Sequence, residues 1–182
     1  LRRLMLEAVE DMLLREIIIA IETIQQEEKR LKVRTDRAMK QGREQLARKA
    51  RSQSLRQEFI ANWTHEVTED ITDLTGQSSQ KAQPVIHILR NVRTRLIERK
   101  VVEMMNDCSG LLAGGTFDEG SELEGKIIKE MSDILDFLRG RLLAEVRARV
   151  EKLQEMVSKL KKDDGHSKNK EPEEDLPESK DE

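Results

Sequence analysis

Residues able to do chemistry are few: 182 residues hold three His, one Cys and no Tyr. His65, Glu69 and Asp73 stand at i, i+4 and i+8. A helix would set them on one face, where imidazole and carboxylates together could hold a divalent cation. The spacing departs from the zincin pattern H-E-x-x-H, because Glu69 stands where the second His is needed. With Glu66 and Asp70 added, the EF-hand spacing and its central Gly are still missing. The segment reads as the polar side of an amphipathic helix whose other side carries Trp63 and Ile71. Gly110 to Thr116 is rich in glycine, but no Lys follows and no strand precedes it, so a helix end and connection fit better than a phosphate loop. Cys108 has no base beside it in sequence and reads as a small apolar residue near a helix end. His87, among Ile86, Ile88 and Leu89, is expected to be partly buried, and His166 lies near the C-terminal end. No nucleophile–base pairing emerges, so the expectation is a non-enzyme with no catalytic residue, metal ligand or cofactor.

The strongest charge feature is basic. Lys29, Arg30, Lys32, Arg34, Arg37, Lys40, Arg43, Arg48, Lys49, Arg51 and Arg56 are interrupted by only two acids, Asp36 and Glu44. Such a block could be a solvated helix with intrachain pairing, or could meet an acidic protein surface or the phosphates of a nucleic acid or anionic lipid. Stacking aromatics are absent from it, and no zinc-finger or RNA-recognition signature is present, so any phosphate contact through 29–56 would be a non-specific clamp. Residues 59–80, by contrast, hold four acids and no Lys or Arg.

The elements that carry these residues must be helices. Charged residues make up 38% of the chain, against a usual quarter, and aromatics only 2%. That composition argues against a large compact core, a β-sandwich or a transmembrane protein. The longest apolar run, Ile17 to Ile21, is far below the ~20 residues that span a bilayer, and five acids in 1–24 oppose attraction to anionic lipid. A single cysteine leaves no internal disulfide, so an intracellular compartment, cytoplasmic or organellar, is expected. A start at Leu1 is expected to mark a fragment or a processed product.

Leu6, Val9, Leu13, Ile17, Ile21 and Ile24 recur at steps of three and four, the mark of one helix face. A long first helix over 1–75 follows, with a break near Gly42. Glu28–Lys32, Asp36–Lys40 and Glu44–Arg48 read as i, i+4 surface pairs on its polar middle. There a thin stripe of Leu31, Ala38, Met39, Leu46, Ala50 and Leu55 remains. A loop over 76–83 precedes a second helix, 84–113, opened by Pro84. Its stripe of Val85, Leu89, Val92 and Leu96 shifts to Ile97, Val101, Met104 and Cys108. A Gly-rich loop, 114–120, leads to a third helix over 121–162, with Ser121 and Glu124 at capping-box spacing. Ile127, Met131, Ile134, Leu138, Leu142, Val146, Val150, Leu153, Val157 and Leu160 give it a coiled-coil-like stripe. Residues 163–182, acidic and almost without apolar residues, are expected to be a disordered tail.

The expected fold is all-α, an elongated helical hairpin or bundle with coiled-coil character. Its expected function is that of a structural or adaptor protein associating with another protein, or with itself, through the 1–24 face and the 127–160 stripe. The alternative is a nucleic-acid-associated protein using the basic helix.

Overall fold

The computed structural model describes residues 2–77 and 84–167, without the side chains of 2–11, 13, 43, 77, 84, 145 and 160–167. Five helices account for nearly all of it: α1 (Arg2–Gln41), α2 (Arg43–Gln77), α3 (Pro84–Glu98), α4 (Val101–Ala113) and α5 (Phe117–Ser167). The described residues contain no strand. Two compact units are formed, Leu1–Arg141 and Leu142–Glu182. The first is a helix bundle. The second is described only as the end of α5, so the tail expected from 163 is helical as far as Ser167 and lies outside the described residues from 168.

Cross-helix contacts fix the bundle's directions. Glu27 meets Arg56 and Glu28 meets Gln57, so α1 and α2 run antiparallel. Arg93 and Arg90 reach back to Thr72 and Thr75, and Ser109 meets Ser54, so α3 and α4 run antiparallel to α2. Gln25–Ser132, Lys32–Ser121 and Glu22–Arg139 zip α1 against the first part of α5 in the opposite sense. The core between them holds Leu14, Ile21, Ile24 and Leu31 of α1, Ile60 and Ile71 of α2, Leu89 of α3, Met105 and Leu112 of α4, and Ile127, Met131 and Ile134 of α5.

The reversal between α1 and α2 rests on Gly42, where the sequence places its one break. Its φ of +94° lies where L side chains are strained, although open space surrounds the position. Gly42→Ala should therefore destabilise the bundle by ~1–2 kcal/mol through the backbone alone, read as a lower urea midpoint at unchanged slope. An unchanged midpoint would show that the reversal tolerates a Cβ.

Three boundaries differ from expectation. The helix expected over 84–113 is two helices, because Lys100 takes a left-handed conformation, φ 53° and ψ 40°. The break changes the phase of the buried stripe: Leu96 and Val101 are buried while Ile97 is exposed, and Met105 rather than Met104 fills the core. Arg99 braces the junction by pairing with Glu130 and Asp133 of α5. The Gly-rich loop shrinks from 114–120 to 114–116. The Gly115 N–H donates to Leu112 O and the Thr116 N–H to Leu111 O, a Schellman ending with Gly115 at φ +80°. α5 then starts at Phe117, with Asp118 and Glu119 in its first turn, where acids suit the helix dipole. Ser121 and Glu124 consequently lie inside the helix and form no capping box. Phe117 is buried, as is Gly120, whose added Cβ would stand 2.9 Å from Leu112 Cδ2.

Candidate functional site

The bundle's interior is not wholly apolar. Gln25, Glu28 and Thr35 of α1, Gln53, Gln57, Thr64, Thr68 and Thr75 of α2, and Ser121 and Glu124 of α5 are all buried. Glu28 and Glu124 are both 0% exposed. Gln57 Nε2 donates to Glu28 Oε1 at 2.6 Å. Thr35 Oγ1 lies 2.9 Å from Glu124 Oε1 and 3.2 Å from Leu31 O, so its one proton serves one of the two. Glu28 Oε2, Glu124 Oε2 and Gln57 Oε1 are buried with no hydrogen-bond partner among the described residues.

Burial dominates the acid–base behaviour here. Desolvation pushes the Glu28 carboxyl up to about 8, against the Gln57 hydrogen bond and with help from the Glu124 charge. Desolvation likewise pushes Glu124 up to about 7, although Thr35 and Lys32 favour its ionised form. Cys108 of α4 is buried, and its thiol, 3.5 Å from Gly120 O, is driven upward by burial and by both carboxyls. It is the opposite of an activated nucleophile. At the rim, Asp36 accepts from Lys32 at 3.2 Å and from Ser121 at 2.6 Å. Burial raises its carboxyl, but these donors outweigh burial and hold it below the usual range. Lys32 thus serves Asp36 and Ser121 rather than Glu28.

The basic block is partly spoken for. Arg30 pairs with Glu27 at 2.5 Å, Arg48 with Glu44 at 2.5 Å, and Arg56 with Glu27. Lys29 donates to Gln25 and Lys49 to Gln41. Arg34, Arg37, Lys40 and Arg51 are exposed, and the Arg43 side chain lies outside the described ones. His65, Glu66, Glu69, Asp70 and Asp73 all lie on the exposed side of α2, and His87 is exposed rather than partly buried. The described residues contain no group of three His, Cys, Asp or Glu disposed to hold a metal ion, and no helix long and apolar enough to cross a membrane. A cleft of about 330 Å³ beside Glu22, Gln26 and Arg30 has its charges already matched, Arg139 to Glu22 at 2.7 Å and Arg30 to Glu27.

The residues expected to mediate association divide sharply. Ile17, Ile21, Ile24, Ile127, Met131, Ile134 and Leu138 are buried in the bundle, where they pack against the other helices of the same chain. Leu6, Val9, Leu13 and Leu160 lie in helices with side chains outside the described ones, and Leu142 is half-buried. Val146, Val150, Leu153 and Val157 are exposed, and so are Leu143 and Met156 beside them. Leu153 is 60% exposed and Leu143 59%. A second apolar ridge lies on α2, where exposed Leu55 and Phe59 precede half-buried Trp63, the two rings 6.2 Å apart.

No protein family, curated protein or solved structure matches the chain.

Proposed function

We propose that the chain is a structural or adaptor subunit that works by helix–helix association, with no chemistry of its own. One observation carries this reading: in unit Leu142–Glu182, α5 exposes Leu143, Val146, Val150, Leu153 and Val157 at steps of three and four. A regular apolar seam facing water is unfavourable for a lone helix, because each such side chain gains up to about 1.5–3 kcal/mol on full burial. A charged exposed face opposite the seam, with Glu151, Lys152, Glu155 and Lys159, suits a helix covered on one side only. The interior acids Glu28 and Glu124 support a structural rather than catalytic reading, since both are fully buried and hydrogen-bonded to Gln57 and Thr35 within the bundle.

A phosphate clamp on the basic helix draws less support, because Arg30, Lys32, Arg48 and Arg56 are committed to carboxylates within the chain. Light scattering after size exclusion tests the association reading on the full chain. The expected mass exceeds the 21.1 kDa of one chain and falls to it in the double variant Val150→Glu/Leu153→Glu. A single-chain mass for the parent at all loading concentrations would remove the reading.

A further inference from the structure

The identities along the seam say more than its existence. Leu143, Val150 and Val157 take one heptad position, a, and Val146, Leu153 and Leu160 the other, d, with steps alternating three and four throughout. The last two of the three a residues, Val150 and Val157, are β-branched and the d residues that follow them are Leu, the combination that among parallel coiled coils favours two strands over higher oligomers. The stripe ends on both sides: Asp136 and Arg139 precede it in the same register, and Asp164 and Ser167 follow it. The seam is therefore bounded at Leu143–Leu160.

We infer that the occupant of this seam is a second copy of the chain, lying parallel and in register, so that 143–160 forms a short two-stranded coiled coil. The inference rests on the association reading above and deepens it. Flanking charges are compatible with that pairing. In a parallel dimer each g residue meets the e residue five positions on in its partner. Leu142 then faces Arg147, Arg149 faces Gln154 and Met156 faces Lys161, so no two like charges are set together. Each of these contacts joins an aliphatic or amide group to a basic side chain, whose methylene stem can cover the seam while its charge stays in water. A seam this short gives a reversible dimer that dissociates on dilution.

Directed disulfides in the full chain test orientation and partner together. Val146→Cys and Val157→Cys place thiols near opposite ends of the seam at exposed positions. Cys108 stays silent because it is buried. In the parallel dimer, Val146→Cys alone links to itself in a glutathione redox buffer, and mixing it with tagged Val157→Cys gives no cross-linked pair. The two positions are then about 16 Å apart along the axis, beyond the reach of a disulfide. The uncross-linked parent has the mass of two chains. Linkage of Val146→Cys to Val157→Cys would overturn the parallel arrangement. A three- or four-chain mass would overturn the two-stranded one. A doubled mass with neither linkage would move the contact to another face, such as Leu55 and Phe59. These results leave association itself standing, whereas a parent that stays a single chain at every concentration removes both readings.

Discussion

Raising the pH from 5 to 9 should weaken the bundle, and Glu28→Gln should remove the larger part of that loss. Both interior carboxyls titrate higher in the folded chain than in the unfolded one, Glu28 at about 8 and Glu124 at about 7. An acid whose folded value is raised contributes stability fully below its unfolded value near 4.5, and that stability is lost as pH rises through the folded value. The window is therefore about pH 4.5 to 8. Glu27, held low chiefly by Arg56, and Asp36, held low by Ser121 and Lys32 against burial, act in the opposite sense. Their contribution is complete above their unfolded values, 4.5 and 3.8, and is lost as pH falls from there through their depressed folded values, so stability peaks near pH 4.5, between the two groups.

The amide variant tests this directly. Gln at 28 keeps an oxygen for Gln57 Nε2, and its own N–H₂ can donate to Gln57 Oε1, which is otherwise unpartnered. It removes the charge without opening a cavity. At pH 9 the variant should be more stable than the parent by roughly 2–4 kcal/mol, with little difference at pH 5. Urea unfolding at the two pH values measures it. A variant equally destabilised at both would mean that Glu28 is retained for shape and hydrogen bonding, and that its ionisation does not oppose folding.

The buried acids also show what the sequence conceals. The Glu28–Lys32 spacing is that of a surface ion pair, and only the antiparallel partner α2 turns Glu28 inward onto Gln57. Ser121 and Glu124 match a capping box, and only the earlier start of α5 makes them the wall that faces Asp36 and Thr35. A search for apolar periodicity passes over the buried Gln53, Gln57, Thr64 and Thr68, so it misses how far α2 is enclosed and puts Leu55 in the stripe although it is exposed. Other features are legible because they act locally. Gly42 reverses the chain, Pro84 opens α3, and the Ile17–Ile24 and Ile127–Leu138 stripes are buried. The split at Lys100 is legible only in retrospect: the stripe slips from Leu96 to Val101, five residues instead of three or four, with no Gly or Pro to announce it.

Stripe residues that look alike in sequence should respond in opposite ways to truncation. Ile134 is fully buried in the bundle, whereas Leu153 faces water. Ile134→Ala removes three carbons from a packed interior and leaves a cavity that the surrounding helices close only in part. Its expected loss is about 2–5 kcal/mol of bundle stability, with the helical spectrum retained below the shifted midpoint. Leu153→Ala removes the same atoms from an exposed helix surface, where Ala is the better helix former, and should leave the bundle within about 0.5 kcal/mol of the parent. Its effect belongs to association, as a lower mass at a given concentration. Urea midpoints at concentrations where the parent is a single chain separate the two. A large loss for Leu153→Ala there would place that side chain in the folded interior of its own chain and remove it from the seam. A negligible loss for Ile134→Ala would show that this part of α5 is held far more loosely than its complete burial demands.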